Sequence, residues 1–182
     1  MSETRAPLDA AGKRFALVAA RWNEAFVQNL VRGAEDALLR LGAHRRDVDV
    51  IWVPGSFEVP QAALFAARSG RYDAIVGLGV LIRGATLHFE LIAAEAARGI
   101  AAIPRETGVP ATFGIVTAET PEQASERCGG KMGNRGWDAA LAAAEMVNVR
   151  RKILAPESKD DGSNGEAQSK SKDHGLRAPS RG

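Results

Sequence analysis

Four short apolar runs, each followed by a stretch with helical spacing, constrain this chain more than any other feature. The runs are Phe15-Ala-Leu-Val-Ala-Ala20, Val48 to Val53, Ala74 to Val80 and Ala111 to Thr117. The first, wholly apolar, suits a strand buried on both faces. Between the first two, apolar residues recur at Phe26, Val27, Leu30, Val31, Ala34, Leu38 and Leu41. That stripe predicts a helix capped by Asn23 and stopped by Gly42. Glu58 and Pro60 open a second helix ending near Ser69-Gly70, and Thr86 begins a third that runs to about Arg98. Thr120-Pro-Glu-Gln123 joins a capping box to a proline at the first helical position, so a fourth helix starts there and Gly129-Gly130 breaks it. Asn134 to about Lys152 forms the last. This order predicts an α/β fold, a flavodoxin-like three-layer αβα sandwich around a mainly parallel four-stranded sheet.

The pattern occupies residues 14–152 of 182, enough chain for one well-cored domain. Residues 1–13 are expected to be a flexible leader. Residues 153–182 read as a polar tail expected to be disordered, because beyond Ala155 acids and bases balance and Leu176 is the one large apolar side chain. The net charge of +2, with both signs mixed along the chain, gives no basic face for nucleic acid. No apolar run approaches the ~18 residues of a membrane span. Met1-Ser-Glu-Thr-Arg-Ala-Pro7 lacks the apolar core of a secretory signal, so a cytoplasmic location is expected. Cys128 is alone, so no internal disulfide can form. His44, His88 and His174 lie far apart with no cysteine pair, so no metal site is expected.

In an open parallel sheet, ligands bind beyond the carboxyl ends of the strands. The stretches placed there are Trp22-Asn23, Gly55-Ser-Phe-Glu58, Leu81 to His88, and Phe113 onward. The third joins a strand to a helix through Gly84, and amides at a helix start with a glycine before them can receive an anion. It is neither a Walker loop nor a dinucleotide fingerprint, since no Gly-Lys-Ser/Thr follows and Ile82 replaces the third glycine after Gly77 and Gly79. A plain strand-to-helix turn has the same pattern. His88 beside it is either an ordinary histidine or a proton shuttle, a role suited to an imidazole pKa near ~6.5. Arg127 and Lys131 either complement a helix end or clamp phosphate oxygens. Glu58 either favours its helix start or accepts ligand hydroxyls. Trp22, Phe57 and Phe113 either close the core edge or stack on a flat ring, with Phe57 assigned to the core. Cys128 has no base near it in sequence and is read as inert packing.

Five stretches, in order, resemble the lumazine synthase family of riboflavin biosynthesis. They are Arg21-Trp-Asn23, Pro54-Gly-Ser-Phe-Glu-Val-Pro60, Gly79-Val-Leu-Ile-Arg-Gly-Ala-Thr-Leu-His-Phe89, Phe113-Gly-Ile-Val-Thr117, and Glu122 through Gly136. The resemblance implies condensation of 5-amino-6-(ribitylamino)uracil with 3,4-dihydroxy-2-butanone 4-phosphate, without cofactor or metal. By matching position it implies Trp22 stacked on the pyrimidine, Ser56, Glu58 and Asn23 near the ribityl chain, and backbone of Leu81 and Ile82 on the heterocycle. Gly84, Ala85, Thr86 and Arg127 would hold phosphate, and His88 would move protons. It also implies that Phe113, Arg127 and Lys131 come from a neighbouring subunit of a pentamer or a shell of pentamers, and it suggests riboflavin synthase as a partner. Many family members carry Phe at position 22, Glu at 85, Asp at 90 and Lys at 135, where this chain has Trp22, Ala85, Glu90 and Arg135. A non-catalytic lumazine or flavin binder, or a shell-forming scaffold, is the alternative on the same fold.

Overall fold

A computed structural model describes residues 3–155. Four strands form one parallel sheet: β1 (Phe15–Ala20), β2 (Val48–Val53), β3 (Ala74–Ile82) and β4 (Ala111–Ala118), in the order β2-β1-β3-β4. Strand β1 is central and buried throughout, and its side chains alternate between two cores. Phe15, Leu17 and Ala19 enter one, with α1 (Glu24–Arg40) and α5 (Arg135–Leu154) above them. Ala16, Val18 and Ala20 enter the other, under α2 (Val59–Arg68) and α3 (His88–Thr107). The predicted sandwich is therefore the one observed.

The element boundaries differ where local chemistry departs from the expected caps. Asn23 precedes α1 but adopts φ 60°, and its side chain makes no cap. Its Nδ2 instead donates to the Val80 carbonyl at 2.9 Å, tying the end of β1 to the end of β3. Asparagine tolerates this left-handed conformation better than most residues. Helix α3 begins at His88 rather than Thr86, with no side-chain cap at Leu87. It continues past Arg98 and Pro104 to Thr107, because Ile100 and Ile103 are buried in the second core and Gly108, at φ 71°, closes it. Thr120 caps α4 (Pro121–Arg127) by accepting from the Gln123 amide at 3.3 Å, while the Gln123 side chain accepts from the Glu119 amide rather than closing the box on Thr120. The expected glycine break is a small antiparallel ribbon, β5 (Cys128–Gly130) with β6 (Gly133–Asn134). Asn134 then caps α5 by accepting from the Gly136 and Trp137 amides.

Ahead of β1, the segment expected as a leader makes specific contacts. Asn148 on α5 donates to the carbonyls of Pro7 and Asp9, and Lys13, almost fully buried, bonds Asp9 at 2.6 Å. The polar tail lies, beyond Ala155, outside the described residues. No helix among the described residues is long and apolar enough to cross a membrane.

Candidate active site

In the observed strand order, the chain leaves β1 toward β2 on one side while β3 and β4 stack on the other. The switch point thus lies between β1 and β3, where a crevice opens in doubly wound sheets. A cleft of about 690 Å3 occupies it, within the range usual for small-molecule sites. Three loops build it: Trp22-Asn23 after β1, Pro54 to Glu58 after β2, and Leu81 to Thr86 at the end of β3. Helix α3 supplies the fourth wall through His88, Leu91, Ile92 and Glu95, whose spacing places them on one helical face.

The β2 loop seats Ser56 deep in the cleft, only 3% exposed, with its Oγ lacking any hydrogen-bond partner among the described residues. Buried hydroxyls are seldom left so, and an unpaired one lining a cavity is a place for a ligand's polar group. The close approach of Ser56 requires Gly79 on β3, where a Cβ would lie 2.5 Å from that Oγ. Gly79 is therefore a packing glycine, and the partial Gly77-x-Gly79 pattern has no nucleotide meaning here. Trp22, 72% exposed, lines the same cleft as Glu58 and presents a large flat ring to solvent. Phe57, assigned to the core from sequence, is 58% exposed and lines the cleft instead. The tight turn after Pro54 aims its ring outward while Ser56 and Val59 point in.

The β3 loop behaves differently. Residues Arg83 to His88 are all exposed, and a Cβ on Gly84 would meet nothing within 4 Å. No packing demand and no positive φ explains a glycine there. Glu90, on the first turn of α3, is held below the usual carboxylate range by its own backbone amide and by the Arg83 guanidinium. Arg83 is in turn held more firmly protonated by Glu90 and Glu119. Among the described residues no group of three His, Cys, Asp or Glu side chains converges as metal ligands.

This geometry accompanies extensive similarity to known proteins. A family model described as 6,7-dimethyl-8-ribityllumazine synthase matches residues 12–151. The protein of that name from Chlorobaculum tepidum is 51% identical over 146 residues, covering 80% of this chain and 94% of its own. That from Prosthecochloris aestuarii is 49% identical with the same coverage. The chain belongs to the lumazine synthase family.

Of the residues that the family resemblance singled out, the cleft brings together Trp22, Asn23, Ser56, Glu58, Leu81, Ile82, Gly84, Thr86 and His88. Ala85 sits in the same loop but does not line the cleft. Phe113, Arg127 and Lys131 are not brought to it within the chain. Phe113, grouped from sequence with the strand ends, is the third residue of β4, paired in register with Gly77 and 43% exposed. The correct end of β4 is Ala118. Arg127 ends α4 and donates back to the Gln123 carbonyl at 3.0 Å. Cys128 is buried, and burial pushes its thiol up to about 11, so the inert reading stands. Sequence reading missed Phe89, Leu91, Ile92 and Glu95. For Leu91, Ile92 and Glu95, their i+3, i+4 and i+7 spacing from His88 was the available signal, once His88 was placed on the cleft.

Proposed function

We propose that this protein condenses 5-amino-6-(ribitylamino)uracil with 3,4-dihydroxy-2-butanone 4-phosphate, giving 6,7-dimethyl-8-ribityllumazine, phosphate and water, as a cytoplasmic homo-oligomer. Family membership over residues 12–151 supplies the reaction. The observation that carries the site is the convergence, in one cleft, of an exposed indole, an unpaired buried hydroxyl, an unpacked glycine loop and an imidazole. Trp22 stacks on the pyrimidine, and Ser56 and Glu58, with Asn23 alongside, take the ribityl hydroxyls. Backbone groups of Leu81 and Ile82 meet the heterocycle. Gly84, Ala85 and Thr86 cradle the phosphate, where amides leading into α3 favour an anion.

The uracil's own 5-amino group is the nucleophile, so no enzyme lysine has to form the imine. Holding amine and ketone together provides the proximity on which the reaction depends. His88 takes and returns protons as the carbinolamine loses water and the phosphate departs. Phe113, Arg127 and Lys131 complete the pocket from the adjacent subunit, where the Arg127 guanidinium balances the leaving charge. That none of the three lines the chain's own cleft agrees with service to a neighbour. Riboflavin synthase, which consumes the product, is the partner this role suggests.

Mixing the two substrates with the protein tests the reading directly. Appearance of lumazine absorbance and fluorescence, matched mole for mole by phosphate release, is expected. Binding of lumazine without turnover would replace the enzyme with a carrier.

A further inference from the structure

The loop Gly84–Leu87 has almost nothing to hold it. Its residues are exposed, Leu87 at 75%, and among the described residues its amides and carbonyls make no hydrogen bond outside the loop except Leu91 N to Leu87 O within the helix. Yet an anion site must be rigid to act, because donors that must first be ordered lose their advantage. One side chain spans the gap. Arg83, the residue before the loop, is anchored by its amide to the Ala118 carbonyl at 2.9 Å. Its Nη1 donates to Glu90 just after the loop, its Nε lies 2.6 Å from Glu119 at the end of β4, and its Cζ sits 4.8 Å from the Phe89 ring centroid. The two ends of the loop are thus stapled together and to the neighbouring strand end.

We propose that Arg83 is a positioning residue, a guanidinium staple that fixes the phosphate-receiving loop and the start of α3 from which His88 projects. The inference rests on the function proposed above. Two carboxylates already neutralise the guanidinium, so it is not the cation that draws phosphate in. Only a planar fork with donors on separate nitrogens serves Glu90 and Glu119 at once while lying on Phe89, and a lysine ammonium cannot. Glu119 carries the fixation further, since it immediately precedes the α4 cap at Thr120 and so couples the loop to the helix bearing Arg127.

The test compares Arg83→Met, Arg83→Lys, Glu90→Gln and Glu119→Gln, with the double variant Arg83→Met/Glu90→Gln. For Arg83→Met, kcat/KM toward the butanone phosphate should fall by ~10²-fold. KM for the ribitylaminouracil should stay within about twofold, since that substrate is bound by the other two loops and by the last residues of β3, ahead of the stapled segment. Arg83→Lys should fall between, and each single glutamine variant should shift in the same direction by less. The double variant should be no worse than Arg83→Met, as befits members of one unit. Hydrogen exchange at Leu91 and the amides that follow it in the first turns of α3, where the hydrogen bonds of the helix start begin, should quicken in step. Tighter phosphate binding in Glu90→Gln or Glu119→Gln would overturn the proposal, because freeing the guanidinium would then have revealed a direct ligand. Wild-type exchange and kinetics in Arg83→Met would overturn it too. If the wild-type protein fails to turn over the two substrates, the functional reading fails by itself, and the exchange measurement still decides the staple. Should Arg83→Met not fold, the two surface glutamine variants carry the same decision.

Discussion

A Cβ at position 84 would meet no atom within 4 Å, whereas one at position 79 would press to 2.5 Å of the Ser56 Oγ. Two glycines five residues apart therefore answer to different demands. Gly84→Ala should leave the melting temperature unchanged and raise KM for the butanone phosphate about tenfold, because a methyl group would stand where the anion approaches. Thermal melts and initial rates separate the two effects, and a destabilised Gly84→Ala would mean that the glycine serves the fold. His88→Ala should slow turnover by ~10²-fold while leaving substrate affinity largely intact, the pattern of a lost proton transfer. Equal loss in KM with unchanged kcat would reassign His88 to binding. At this scale the sequence shows which residue types sit at the strand ends, since loop glycines and a nearby imidazole are visible there. It does not show which glycine is packed and which is open, because that depends on side chains arriving from other strands.

Elements were legible in proportion to how far their burial pattern is local. Strand β1 is covered on both faces, so its six apolar residues announce it without reference to anything else. The α1 stripe is equally plain, and Val27, Leu30, Val31, Ala34 and Leu38 are buried as the spacing requires. The β5–β6 ribbon was not legible, being too short for periodicity to register, and the start of α3 was misplaced because Thr86 resembles a cap it does not form. The crossing of α1 on α5 was also hidden. At Gly136 a Cβ would lie 2.1 Å from the Leu30 carbonyl oxygen, so the two helices touch backbone to backbone. A flexible side chain could yield to the intruder, but a helical carbonyl cannot. Gly136→Ala should cost about 3 kcal/mol or more, read as a lowered urea midpoint at unchanged m-value. A midpoint within error of wild type would show that the helices separate freely. The strap ahead of β1 adds a pH dependence. Lys13 bonding holds the Asp9 carboxyl below its ordinary value. A depressed acid contributes stability at neutral pH that disappears as pH falls through its native pKa, so Asp9→Asn should flatten the acid limb of the stability curve.

The whole molecule poses the question that one chain leaves open, since Phe113, Arg127 and Lys131 do not reach the chain's own cleft. No reading of spacing along a sequence can tell whether two motifs meet within a subunit or across a boundary, because both arrangements use the same residues. That part of the site rested on family resemblance alone. Exposed apolar side chains at Phe57 and Leu91 line the cleft, and Phe65 on α2 and Leu87 ahead of α3 are exposed as well, apolar surface suited to burial by another copy. In a ring closed by head-to-tail contacts, every cleft would face the α4 region of the next chain. Co-expression of His88→Ala with Arg127→Ala, each carrying a different tag, decides the matter. Each variant alone should be nearly inactive at low butanone phosphate. In a mixed ring, an Arg127→Ala chain still offers an intact cleft, and a His88→Ala neighbour still offers its guanidinium. With equal amounts and random order, about a quarter of the junctions would combine the two, so the doubly tagged assemblies should recover about a quarter of wild-type activity. If every site were complete within one chain, mixing could only average two defective enzymes, and no recovery would appear.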